Sequence, residues 1–173
     1  MRAIASITFV YDPREDRIAA AANPGRADAW SCWLTRRVAL ALLERTTEFL
    51  DSTSALAKRA PAEMRGEFAA FEREAAIAKT QPAMSVTPPE ILKSSASAAA
   101  LIERVSITPQ GDNFRLELYG ASGDGAAAGL SRAELQRILQ MLQGVVAKAG
   151  WFAAAGKAAP APSAEPGAPP SRH

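Results

Sequence analysis

One helix constrains this chain more than anything else in it. Ser131 stands three residues before Glu134, a capping-box pair that opens a helix at Arg132. From there Leu135, Ile138, Leu139, Leu142, Val145 and Val146 recur on one helical face, and Gly150 supplies a stop. At roughly 1.5–3 kcal/mol for each buried side chain, these six favour docking by roughly 9–18 kcal/mol before ordering entropy is subtracted. Such a helix does not stay free in water, so the rest of the chain must offer it an apolar surface.

Alternating segments supply that surface. Ile7, Phe9 and Tyr11 fall on one face of residues 4–11, with Ser6 and Thr8 on the other, which is the period of a half-buried strand. Asp12-Pro13-Arg14-Glu15-Asp16 has turn chemistry, and Arg17 to Ala22 reads as the returning strand. Asn23-Pro24-Gly25 is a second turn. Residues 28–34 admit two readings. In one, Asp28 caps a helix carrying Trp30, Trp33, Leu34 and Val38. In the other, which is favoured, Trp30, Cys32 and Leu34 line a third strand and Thr35 caps a helix from Arg36. Either way a helix runs through Val38, Leu42, Phe49 and Leu50 toward Lys58. Pro61 interrupts it and opens another, with Met64, Phe68, Phe71 and Ala75 at helical spacing.

Residues 81–100, with three prolines and a Ser/Ala cluster, read as a connector. Beyond it Leu101, Val105 and Ile107 alternate with charged and small residues, and the chain turns at 108–113. Phe114, Leu116 and Leu118 then alternate with Arg115, Glu117 and Tyr119, completing a hairpin. Gly120 to Gly129 is expected to be a flexible loop leading into the helix that opens at Arg132. Leu34-Thr35-Arg36 and Leu130-Ser131-Arg132 both open helices, and Leu42-Leu43 and Ile138-Leu139 follow at the same offset. The expected fold is therefore α+β: an antiparallel sheet from two units, each a β-hairpin with an added strand and a helix. These pseudo-repeats span 4–58 and 101–151, with a helical insert and linker over 61–100. Residues 1–152 form a single domain. From 153 to 173 the chain is Ala/Pro-rich and too poor in large apolar side chains to bury itself, so a disordered tail is expected.

Composition bounds function mainly by exclusion. The formal charge of +2 is too small to imply nucleic acid or an acidic membrane as partner. The single cysteine, Cys32, rules out an internal disulfide framework. No apolar stretch reaches membrane-spanning length and no signal peptide is visible, so the cytoplasm is the expected compartment. The only histidine is His173, at the end of the expected tail, which leaves no Ser-His-Asp or Cys-His pair and few zinc ligands. Asp12, Glu15 and Asp16 match no calcium-loop spacing, and Arg14 and Arg17 interleave with them. The Gly120–Gly129 loop lacks a P-loop lysine and no βαβ unit surrounds it.

No catalytic residue, cofactor or metal is therefore expected. The expected role is that of a non-enzymatic binding or assembly domain, a protein–protein adaptor. Its candidate partner surface is Arg17, Arg36, Arg37, Arg104, Arg115 and Tyr119, and Phe68 and Phe71 are candidates for self-association into a homodimer. The alternative is single-stranded nucleic-acid binding by the same arginines and Tyr119 on an exposed sheet face.

Overall fold

A computed structural model describes residues 1–54, 58–79, 99–121 and 123–154. The expected connector lies outside them except for its last two residues, as does the expected tail beyond 154.

Among the described residues, seven strands and three helices form a mixed α+β arrangement. The strands are β1 (Arg2–Ala3), β2 (Ile7–Asp12), β3 (Arg17–Ala22), β4 (Trp30–Thr35), β5 (Ala100–Gln110), β6 (Asn113–Gly120) and β7 (Gly125–Ser131). The helices are α1 (Arg36–Thr53), α2 (Arg65–Lys79) and α3 (Arg132–Lys148), with short 3-10 turns at Ala62–Met64 and Trp151–Ala154. Residues 30–35 are thus strand, and Thr35 caps α1 by accepting the Val38 N–H at 3.3 Å. Ser131 caps α3 in the same way, and Glu134 returns the favour by accepting the Ser131 N–H at 2.8 Å. α1 stops at Thr53, where Ser54 turns extended, short of the expected Lys58.

The strand order is β1-β7-β6-β5-β4-β3-β2. Since only Ile4–Ser6 separate β1 from β2, the two ends of that order are neighbouring stretches of chain, and the circuit of pairings closes through them. Within it lie two antiparallel meanders, β2-β3-β4 and β5-β6-β7, each running straight into a helix. They meet only through two-residue parallel pairings, Cys32↔Ala100 and Trp33↔Leu101 on one side, Arg2↔Ala126 and Ala3↔Ala127 on the other. The sheet is mixed, which corrects the expectation of a purely antiparallel one. The cause is the crossover: after β4 the chain returns through helices, so β5 enters beside β4 in the same direction.

Each helix crosses to the first strand of the other meander. α1 packs on β5 as well as β4, α3 on β2 as well as β7, and the helices touch each other. The core between them gathers Ile7, Phe9, Ile18 and Leu34 from one meander and Ile102, Phe114, Leu116 and Leu130 from the other, against Leu42, Leu50, Leu135, Ile138, Leu142 and Val146. The first residue of each helix then reaches the far end of the other. Arg36 Nη2 donates to the Trp151 carbonyl at 3.1 Å, and Arg132 Nη1 donates to the Leu50 carbonyl at 3.0 Å. The Leu50 carbonyl lies in the last turn of α1, where carbonyls lack intrahelical donors and carry the negative end of the dipole, so the Arg132 guanidinium is well placed there. The Trp151 carbonyl that receives Arg36 lies just past α3, in the 3-10 turn.

Two further expectations are corrected. Most of the Gly120–Gly129 stretch is strand: Gly120 ends β6 and β7 already begins at Gly125. A side chain at Gly125 would meet the Leu118 carbonyl oxygen at 2.5 Å, so glycine lets β7 approach β6. Leu101 does not share a face with Val105 and Ile107. A bulge between Ile102 and Arg104 shifts the alternation by one, which buries Ile102 and exposes Leu101.

Candidate functional site

The reactive side chains are few and occupied. Cys32 is buried, and burial pushes its thiol up to about 12, far from a thiolate at neutral pH. Among the described residues no group of three or more His, Cys, Asp or Glu is placed to hold a metal ion, and no helix is long and apolar enough to cross a membrane. Asp16, at φ 48°, accepts the Trp151 indole N–H at 3.0 Å and the Tyr11 hydroxyl at 2.9 Å, which makes it the anchor for the end of the domain.

The six candidate surface residues separate into different environments. Arg36 is committed to the Trp151 carbonyl. Arg17 extends along the surface toward Glu15, 3.9 Å away. Three of them cluster: the Arg104 guanidinium lies 4.0 Å from the Tyr119 ring centre, while Arg115 (2.8 Å) and the Tyr119 hydroxyl (2.9 Å) both donate to Glu117. Arg115 first, then Tyr119, holds the Glu117 carboxyl below its ordinary value. The Tyr119 ring is therefore covered on one face, and with two guanidinium groups against one carboxylate the cluster keeps a single net positive charge. Arg37 is the exception, free on the outer side of α1. Phe68 and Phe71 project from α2 at 36% and 65% exposure, while Ala69 is buried where α2 meets α3.

Arg37 and Arg104 both belong to the lining of a groove of about 600 Å3 between α1 and β5. Val38, Ala41, Leu42 and Phe49 form its helix wall, with Val105 and Ile107 on the strand side, and Arg45 also lines it, eight residues beyond Arg37 on α1. Thr46 also lines it, and its buried hydroxyl has no hydrogen-bond partner among the described residues. Neither Arg37 nor Arg45 has an ion-pair partner among the described residues. The corresponding seam between α3 and β2 carries Trp151, 3% exposed and edge-on to Tyr11 at 5.7 Å between ring centres. After α1 the chain departs instead toward α2, where the Ser54 hydroxyl bonds Glu72.

The strand wall of this groove is an open edge. β5 and β6 join through the two-residue turn Gly111-Asp112, with Gly111 at φ +61° as a type II′ turn requires. Its closing pair, Gln110↔Asn113, is the hydrogen-bonded kind, so the backbones of Ser106 and Thr108 also face β6. Those of Val105 and Ile107 face the other way, toward α1. β4 pairs with β5 only as far as Leu101, and beyond it this stretch has no strand neighbour on that side among the described residues. Pro109, which has no N–H, follows in the same outward phase.

Arg45, Ala41, Phe49, Val105 and Ile107 were not legible as a site in the sequence. The signal present there was the i, i+4, i+8 spacing of Arg37, Ala41 and Arg45, and a proline tolerated inside a strand, which marks an edge. Comparison with known proteins yields no matching family model, no matching curated protein and no matching solved structure.

Proposed function

We propose that the protein is a non-enzymatic binding domain that takes up an extended segment of a partner protein as an added strand on β5. The observation that carries this reading is the outward phase of the Val105 and Ile107 backbone, which opens on a groove with apolar walls and charged residues in its lining. Added strands gain affinity from main-chain hydrogen bonds and specificity from pockets for alternate side chains. Here Leu42 and Phe49 would receive those pointing inward. The two βββα units are read as a duplication in which one helix–strand seam is plugged by Trp151 and the other kept open for a ligand. On β6, Arg104 already occupies the Tyr119 ring that nucleobase stacking would need, so the nucleic-acid alternative has no observation in its favour.

The test is selection of peptides from a random display library on the immobilised protein, with the selected peptides re-measured on Ala41→Trp. That substitution places an indole in the groove and leaves the core side chains of α1 in place. Selected peptides should bind the wild type and lose at least about tenfold in affinity to the variant, roughly 1.4 kcal/mol. Failure to select any peptide, or equal binding to both proteins, contradicts the proposal.

A further inference from the structure

We infer that the segment accepted by β5 is acidic, with carboxylates at every second position alternating with apolar side chains. This rests on the reading of the β5 edge as a strand-docking site. The lining of the groove holds three guanidinium groups, Arg37, Arg45 and Arg104, against one carboxylate, Glu103. Glu44 and Glu48 lie outside that lining, although they are exposed on the same helix, Glu48 three residues beyond Arg45. Arg37 and Arg45 stand eight residues apart on one helix, about 12 Å along its axis. On an added strand, side chains of one face recur about every 6.7 Å, so carboxylates four residues apart span about 13 Å. A strand lying along α1 can thus present one carboxylate to each of these arginines and the intervening one to Arg104 on the strand side. The Arg104 guanidinium lies over the Tyr119 ring, 4.0 Å from its centre, a cation–π contact that leaves its charge without a carboxylate partner among the described residues. The other side chains of the segment turn inward to Val38, Leu42 and Phe49, where a charge would be desolvated without a partner.

Three short end-blocked peptides of equal length test this, alternating valine with aspartate, serine or lysine. Binding is followed by fluorescence anisotropy, and the Val105 and Ile107 amide resonances report where the peptide lands. The aspartate peptide should bind most tightly and the lysine peptide most weakly, with the gap narrowing as salt is raised. Each of Arg37→Ala and Arg45→Ala should weaken the aspartate peptide about two- to fivefold at low salt. The double variant Arg37→Glu, Arg45→Glu should reverse the order, so that the lysine peptide binds best. If the aspartate and serine peptides bind alike while Val105 and Ile107 shift, the charge inference is overturned and the docking edge stands. If neither peptide moves those two amides, both fall. Shifts of the same amides that grow with protein concentration alone would give the groove to a second copy and overturn the assignment of an acidic segment.

Discussion

Asn23 shows how one side chain can hold a change of partner in place. Its φ of 50° is tolerated better by asparagine than by most residues, and it is 1% exposed. Its Oδ1 accepts the N–H groups of Ala5 (2.8 Å) and Ser6 (3.1 Å), and its Nδ2 donates to the Ala3 carbonyl (2.7 Å) and to Asp28 (2.9 Å). Those backbone groups belong to the break where the first strand leaves β7 and joins β3. The side chain therefore replaces the ladder bonds that neither neighbour supplies. Asn23→Ala leaves three backbone groups unpaired and should cost about 2–4 kcal/mol in chemical denaturation. Asp16 works at the other end of β2. The Trp151 indole first, then the Tyr11 hydroxyl, holds its carboxyl below the ordinary 3.8. A depressed folded value gives stabilisation that is complete above the unfolded value and is lost as pH falls through the folded one. The melting temperature should drop on acidification below about pH 4. Asp16→Asn keeps a residue that tolerates the positive φ and should shrink that drop, leaving the part due to Glu117, which is depressed in the same direction. An unchanged acid profile in the variant would remove Asp16 from this role.

At the scale of elements, α3 tests the packing. Leu142 is fully buried between the meanders, so Leu142→Ala should cost about 2–5 kcal/mol. A loss under about half a kcal/mol would mean that this face of α3 is not the core face. The same elements show what the sequence disclosed and what it withheld. β2, β3, β4 and the β5–β6 hairpin were legible because large apolar side chains alternate along them or turn residues bound them, and α1 and α3 because Thr35 and Ser131 cap apolar stripes. β7 was not, since Gly125 to Gly129 offers alanines and glycines with low strand propensity; pairing with Leu116 and Leu118 makes it a strand. β1 spans two residues, too few for any periodicity. The groove lay further out of reach. Arg45 and Phe49 read as ordinary helix residues, and only the docking of α1 on β5 of the other meander brings them to Val105 and Ile107.

For the whole molecule, the closed circuit of strand pairings leaves two helix–strand seams that are built alike and finished differently. Trp151, anchored by Asp16, plugs the one beside β2. Among the described residues the one beside β5 stays open, with its strand edge and with Arg37 and Arg45 lacking ion-pair partners, and the proposed binding role depends on that edge being free. Residue-by-residue amide hydrogen exchange on the isolated protein measures this without any partner. Val105 and Ile107 should exchange at least about a hundredfold faster than Ser106 and Thr108, whose N–H groups serve β6. Equal protection of all four amides would mean that the edge is already occupied, and the proposed docking site would be lost.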